Sequence, residues 1–173
     1  MTTTLIALND IPAEGREFSF SDQSLWTGPM KELDVAARIG TPLEASMLIV
    51  PQDDGWLVSG RISGSVVLPC DACAEEFEQA IDEDFDSFET LDMAEGEYAD
   101  ECRVRVENGV PKLDAGGFLW EQLMLALPTR PECREGCKGL CPTCGANRNT
   151  TACTCSQDGG DPRLAVLRKL KLS

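Results

Sequence analysis

Six cysteines lie within residues 133–155 of this chain, which contains no histidine. Two cysteines separated by two residues can hold one metal ion, because the turn between them aims both sulfurs to the same side. The sequence CPTCG at residues 141–145 has this spacing, and its proline and glycine suit the turn. A second pair follows after the eight residues GANRNTTA. We therefore expect one tetrahedral Zn²⁺ site with the ligands Cys141, Cys144, Cys153 and Cys155.

The remaining cysteines leave alternatives open. Cys137, and after it Cys133, could replace a member of the expected set. Cys70 and Cys73 form a separate CxxC pair, which cannot complete a tetrahedral site alone. This pair could take two sulfurs from the later cysteines, so that one metal ties the two segments together, or it could act in thiol redox chemistry. The acidic residues that follow it should raise a thiol pKa, so the sequence favours a half-site or two plain turn cysteines.

The ligand types favour a closed structural zinc site over other chemistry. A catalytic zinc usually keeps one coordination position open and often uses histidine. An iron–sulfur cluster ranks second because ferredoxin spacings are absent, and disulfides rank third because nine cysteines cannot all pair within one chain. The sequence has no histidine base, glycine-rich phosphate loop or GxSxG motif. It therefore indicates a protein that is not an enzyme and has no small-molecule substrate.

The start of the chain and its hydropathy indicate a cytoplasmic protein. MTTTLIALND lacks the basic segment and long apolar run of a secretory signal. No stretch reaches the roughly 18 apolar residues of a membrane helix. We expect no membrane partner, and a reducing compartment in which thiols stay reduced.

Acidic residues are concentrated in one segment of a chain whose net charge is −15. Residues 70–101 carry fourteen acidic and no basic side chains, whereas residues 133–173 carry seven basic and three acidic ones. Such a run is most often a solvated surface, but it could bind a basic partner such as a ribosomal protein. The candidates for that surface are Glu75, Glu76, Glu78, Asp82, Glu83 and Asp84. A net charge of −15 disfavours RNA binding over a broad surface. Any RNA contact is therefore expected at the basic residues of segment 133–173, which are Arg134, Lys138, Arg148, Arg163, Arg168, Lys169 and Lys171.

Apolar periodicity predicts the strands that position the first cysteine pair. Alternating apolar residues predict strands over residues 44–69, with a turn near residues 53–55. In the segment that follows Cys73, apolar residues recur every fourth position, and we prefer a strand to a helix there. This interpretation places Cys70 and Cys73 in the turn between two strands.

Helix signals are clearest in the second half of the chain. LDAGGFLWEQLMLALP, residues 113–128, predicts a helix with Asp114 as its N-cap and a proline at its end. DPRLAVLRKLK, residues 161–171, predicts a short terminal helix. Residues 89–101 are predicted to form a loop, and a short strand should follow with Cys102 buried in it.

The N-terminal 43 residues contain one strand pattern and one helix pattern. REFSFSD, residues 16–22, is typical of a strand. Residues 24–38 could hold a short helix broken at Gly28-Pro29. The sequence thus predicts an α+β fold, a mainly antiparallel sheet with a packing helix, plus a small cysteine-rich zinc-binding module and a C-terminal helix. The expected divisions are an α+β domain over 1–132, the cysteine-rich module over 133–156 and a helical tail over 157–173.

The order of these motifs resembles the YceD family, the large ribosomal RNA subunit accumulation proteins of bacteria and plastids. The resemblance covers residues 44–173 and is carried by LPCDAC followed by EEFE, by LWEQLMLALP, by CREGCKGLCPTCGANRN with CTC, and by DPRLAVLRKLK. Two positions depart from the family pattern: Ala72, where a basic residue is frequent, and Arg148, where leucine is frequent.

The resemblance implies a non-enzymatic ribosome-biogenesis factor that promotes accumulation or processing of large-subunit (23S) ribosomal RNA. The implied partner is ribosomal RNA or a basic ribosomal protein of the large subunit. The competing hypothesis is a thiol redox or zinc-dependent regulatory protein that uses the Cys70/Cys73 pair.

Overall fold

Antiparallel strands and two helices make up the parts of the chain that the structure, a computed structural model, describes: residues 4–91 and 103–155. The strands are β1 (Leu5–Ala7), β2 (Arg16–Phe20), β3 (Arg38–Ile39), β4 (Glu44–Gln52), β5 (Gly55–Pro69), β6 (Glu76–Glu89), β7 (Val104–Glu107) and β8 (Val110–Asp114), and the helices are α1 (Ser24–Glu32) and α2 (Ala115–Ala126). This arrangement confirms the predicted α+β fold.

Strand β5 is the central element of the larger sheet, which has five strands. One side of β5 pairs with β4 and, near its carboxyl end, with β3; the other side pairs with β6 along its whole length. Strand β2 adds to β4, and a second, three-stranded sheet has the order β1-β8-β7. All of these pairings are antiparallel.

The predicted strands over residues 44–69 and their turn are confirmed. The hairpin closes with Gln52 opposite Gly55, so the turn holds only residues 53–54. Gly55 lies so close to β6 that a Cβ there would be 2.4 Å from the carbonyl oxygen of Glu89. Alternate residues of β5, such as Val58 and Ile62, are buried, as period-two patterning requires.

Strand β6 confirms the preference for a strand over a helix after Cys73. Ile81 and Phe85 are buried on the face of β6 that is turned towards α2 and the core. A four-residue repeat keeps one face of a strand as well as one face of a helix, and the fourteen-residue pairing with β5 decides between them. The opposite face of β6, called the outer face below, carries Asp82, Asp84 and Asp86.

Helix α2 begins and ends as its sequence predicts. The carboxylate of Asp114 accepts a hydrogen bond from the backbone N–H of Gly117 at 3.0 Å, which satisfies a free donor of the first turn. Phe118, Leu119 and Leu123 are fully buried. The helix ends at Ala126, because Leu127 precedes a proline and adopts the extended backbone.

Helix α1 corrects one prediction. The sequence suggested a break at Gly28-Pro29, but the helix runs without interruption from Ser24 to Glu32. Proline has a helix-compatible φ, and its missing N–H removes only one hydrogen bond. Burial of Trp26 and Met30 on the same helix favours the helical conformation despite that loss.

The core lies between the larger sheet and the two helices. Trp26 of α1, Met47 of β4 and Phe118 of α2 are each fully buried there. Phe85 of β6 meets Phe118 edge-on, with ring centroids 5.5 Å apart. The sheet that carries the first cysteine pair is therefore fixed by packing of helices onto its inner face.

Arg103 joins β6 to α2 at one end of the core. Its guanidinium donates to Glu89 at 2.9 Å and also pairs with Glu121. The guanidinium carbon lies 5.3 Å from the ring centroid of Phe118. Glu89 is one of two buried polar residues among those described, with 7% of its surface exposed, so Arg103 supplies the charge that a buried carboxylate needs.

Several predictions fall outside the described residues. These are the terminal helix at 161–171, nearly all of the loop at 89–101, and Cys102. Among the residues described, no helix is long and apolar enough to span a membrane. The expected domain divisions stay a prediction.

Candidate metal centre

The first cysteine pair lies in the turn between β5 and β6, as predicted. The turn is closed by two backbone hydrogen bonds, from the N–H of Cys70 to Glu75 at 2.9 Å and from the N–H of Ala74 to Cys70 at 2.8 Å. Ala74 adopts a left-handed backbone with φ 59°. Cys70 and Cys73 are both buried, so the turn presents their sulfurs away from solvent.

Two later cysteines meet this pair. The sulfurs of Cys70, Cys73, Cys133 and Cys137 all lie within 4.8 Å of one another. The Cys70–Cys137 sulfur distance is 3.9 Å and the Cys73–Cys133 distance is 3.7 Å. A tetrahedral zinc with bonds of about 2.3 Å requires sulfurs about 3.8 Å apart, whereas a disulfide requires about 2.05 Å. This group therefore fits a metal ion.

The second group contains the four cysteines that the sequence selected. The sulfurs of Cys141, Cys144, Cys153 and Cys155 also lie within 4.8 Å of one another. The Cys144–Cys153 distance is 3.6 Å and the Cys141–Cys153 distance is 3.3 Å. The alternates Cys133 and Cys137 belong to the first group instead. The described residues thus offer two groups that could each hold a metal ion, where the sequence led us to expect one.

Backbone N–H groups lower the pKa of Cys70 and Cys137 in the first group and of Cys141 in the second. The N–H of Cys133, followed by those of Cys73 and Ala72, lowers the pKa of Cys70 to about 6. The N–H groups of Cys144 and Thr143 lower the pKa of Cys141 to about 6. Donors aimed at sulfur favour the thiolate, which is the form that binds metal.

The last thiol to ionise in each group shows the opposite shift. Burial, together with the neighbouring thiols, raises the pKa of Cys133 to about 12. Hydrogen bonds with Cys153 and Cys144 raise the pKa of Cys155 to about 12. Four thiolates this close repel one another, so the fully deprotonated set requires a cation. Each group could therefore hold a metal ion, which would supply this charge.

A short backbone bridge joins the two groups. The N–H of Leu140 donates to the carbonyl of Ala72 at 2.8 Å, and Leu140 pairs with Asn147 in an isolated β-bridge. Gly139 has φ 65°, and a Cβ there would lie 2.8 Å from the Ala72 carbonyl oxygen. Only glycine suits this position, because the chain of the second group touches the turn of the first.

Two asparagines that the sequence analysis missed complete this bridge. Asn149 donates from Nδ2 to the sulfur of Cys137 at 3.2 Å and accepts from the backbone N–H of Lys138 at 2.9 Å. Asn147 donates to Glu75 at 3.2 Å. The available signal was the spacing NRN inside the loop between the two cysteine pairs, since asparagine readily bonds to nearby backbone.

The predicted acidic surface is largely engaged within the protein. Glu76 pairs with Arg38 at 2.9 Å. Arg61 donates to Asp82 at 2.7 Å and to Asp84 at 3.0 Å. The other three candidates follow different patterns: Glu75 bonds to Asn147, Glu78 bonds to Ser65 and Thr41, and Glu83 has no hydrogen bond or ion pair among the described residues. Partner binding by these six residues stays a prediction.

The basic candidates divide into two sets. Arg134, Lys138 and Arg148 are exposed around the cysteine groups. The other four, Arg163, Arg168, Lys169 and Lys171, lie outside the described residues. RNA contact by either set stays a prediction.

Comparisons with known proteins agree with the motif order. Residues 58–171, more than half of the chain, match the family model of the large ribosomal RNA subunit accumulation protein YceD. This match confirms the resemblance stated from the sequence.

Two curated plant proteins are similar to this chain. Both are named large ribosomal RNA subunit accumulation protein YCED homolog 1, chloroplastic. The Arabidopsis thaliana protein is 23% identical over 161 residues, covering 76% of this chain and 49% of its own length. The Zea mays protein is 24% identical over 182 residues, covering 89% and 61%. The chain thus spans about half to three fifths of these relatives, and no solved structure matches it.

Proposed function

This chain belongs to the YceD family, and we propose that it is a non-enzymatic ribosome-biogenesis factor that promotes accumulation or processing of large-subunit (23S) ribosomal RNA. The family match over residues 58–171 is the observation that carries this proposal. The names of the two plant relatives support it. We place its action in the cytoplasm, where a reducing environment keeps metal-binding thiols available.

The metal proposed for both cysteine groups is Zn²⁺, in a structural role. Each group supplies four sulfurs at distances that suit a closed tetrahedron. The first group would hold the β5–β6 turn against residues 133 and 137, and the second would fold the segment from 141 to 155. When bound, zinc would supply folding free energy to a segment that has little apolar core of its own.

The proposed molecular role is that of an adaptor for a basic ribosomal protein or for RNA. The charge of −15 and the acidic strand β6 favour a basic protein as the direct partner. The exposed Arg134, Lys138 and Arg148 beside the cysteine groups would be the points of contact with RNA.

The second candidate function is thiol redox or zinc-dependent regulation by Cys70 and Cys73. The lowered pKa of Cys70, about 6, favours it because a thiolate is the reactive form. Alkylation of the zinc-loaded and the metal-free protein would separate the two functions. Rapid modification of Cys70 in the loaded protein would support redox chemistry, whereas protection by zinc would support the structural role.

The test of the proposed function is the ratio of large- to small-subunit ribosomal RNA in cells that lack the protein. We expect a selective fall in the large-subunit RNA that the intact chain restores. An unchanged ratio would refute the proposal, and so would a fall that the intact chain does not restore.

A further inference from the structure

Strand β6 is paired on one side only among the residues described. All fourteen of its residues pair with β5, and no other described strand pairs with it. Backbone N–H and C=O groups of a strand point alternately to its two sides. The second side of β6 therefore presents a row of hydrogen-bonding groups that can template a further strand.

A groove with a mixed polar and apolar lining lies against the inner face of β6. It lies between β6 and the carboxyl half of α2 and has a volume of about 210 Å³. Its lining includes Phe85 and Glu83 from β6 and Leu125 from α2. Leu125 is 71% exposed, the most exposed of the large apolar side chains described. In a strand added to the edge, every second side chain would lie on the same face of the sheet as Glu83 and Phe85, next to α2.

The negative charge of β6 favours an added strand that carries basic side chains. Seven of its fourteen residues are acidic and none is basic. Four of the seven form ion pairs: Glu76 with Arg38, Asp82 and Asp84 with Arg61, and Glu89 with Arg103. Glu83, at the groove, and Asp86, on the outer face, have no ion pair among the described residues. The free edge therefore keeps negative charge on both of its faces.

We propose that the free edge of β6 binds an extended basic segment of a partner protein as an added β-strand. Backbone hydrogen bonds would supply affinity, and alternate side chains would supply specificity. One set of side chains, apolar, would contact Leu125 in the groove, while the other set, lysine or arginine, would face the acidic outer face. This inference rests on the proposed adaptor function and specifies how the basic partner is held.

The same charges disfavour a second copy of this chain at the edge. Two β6 strands placed side by side would bring acidic residues into opposition, and like charges across neighbouring strands are destabilising. The edge of β6 would thus attract a basic strand and repel the β6 strand of a second copy of this chain.

The binding test uses a short synthetic peptide of alternating lysine and valine, with an alternating glutamate and valine peptide as control. Amide hydrogen exchange of the full, zinc-loaded chain reports on residues 76–89, and fluorescence anisotropy reports the affinity. We expect slower exchange at alternate β6 amides with the lysine peptide only. Binding with unchanged β6 exchange would overturn the proposal. So would β6 edge amides already protected in the free protein, since residues outside the described parts would then cover the edge.

Matched variants locate the contact. Leu125→Asp should weaken peptide affinity by roughly tenfold, whereas Leu33→Asp, at an exposed leucine after α1, should not change it. Glu83→Gln with Asp86→Asn should weaken binding, whereas Glu14→Gln with Glu17→Gln should not. Equal effects of the test and control variants would overturn the proposal.

A cellular readout separates this inference from the proposed function. If the unaltered chain restores the large-subunit RNA and the Leu125→Asp chain, folded and equally abundant, restores it as well, the strand-addition mode is wrong while the proposed function holds. If the unaltered chain restores nothing, the proposed function fails. Restoration by the unaltered chain alone supports both.

Discussion

Removal of Arg103 should destabilise the fold far more than removal of Arg61, although each arginine pairs with two carboxylates. Arg103 bonds to Glu89 and Glu121, and Glu89 has only 9% of its side chain exposed. Arg61 bonds to Asp82 and Asp84, whose side chains are 62% and 75% exposed. Burial decides the difference, because a buried carboxylate that loses its partner cannot recover its hydration.

The magnitude for Arg103→Ala follows from its contacts. Each charge-assisted hydrogen bond contributes about 1.5–3 kcal/mol, and breaking a buried pair costs about 3–5 kcal/mol. Arg103 is 27% and Glu121 45% exposed, which reduces the loss. We expect a fall of about 3 kcal/mol in the free energy of unfolding, and a fall of about 6–12 °C in Tm for a chain of this length.

Urea unfolding followed by circular dichroism would measure these changes at fixed zinc concentration. The Arg103→Ala, Glu89→Gln double variant should lose less than the sum of the two single variants, because neutral glutamine does not leave a charge unpaired. Equal destabilisation by Arg103→Ala and Arg61→Ala would refute the reasoning, as would additive effects of Arg103→Ala and Glu89→Gln.

Three further predictions concern the cysteine groups and α2. Elemental analysis of the purified chain should find two zinc ions per molecule, and Cys70→Ser should leave about one; a single ion in the unaltered chain would contradict the two-group geometry. Asn149→Ala should weaken metal binding at the first group by about 10–100-fold while retaining the second, as competition with a chromogenic chelator would measure. Asp114→Ala should lower the free energy of unfolding by about 1 kcal/mol through loss of the α2 cap, and no loss would mean that the cap is dispensable.

The features of this protein that the sequence predicted correctly depend on short-range patterns. The CxxC spacing at Cys141 and Cys144 and the capped helix from Asp114 each depend on residues a few positions apart. The cysteines that meet Cys70 and Cys73 lie 60 or more positions later in the chain. No local pattern distinguishes Cys133 and Cys137 from the other later cysteines. These four cysteines come together only because the folded sheet places the β5–β6 turn beside residues 133 and 137.

The helix through Pro29 and the role of Asn149 were missed for related reasons. Proline weakens a helix locally, and only the burial of Trp26 and Met30 in the folded core offsets that effect. Asn149 reaches Cys137 because Leu140 and Ala72 align the two segments. Tertiary contacts therefore decided both cases.

The two cysteine groups close loops of very different length. The Cys70–Cys137 contact joins residues 67 positions apart, whereas the Cys141–Cys153 contact joins residues only 12 positions apart. Closing the longer loop in an unfolded chain costs about 1.5 kcal/mol more in chain entropy. In an unfolded chain, the C-terminal group should therefore take up its ion more readily than the group at the β5–β6 turn. Metal loading would then favour the C-terminal group first, and the ion at the turn would bind most readily once the sheet has brought its four cysteines together.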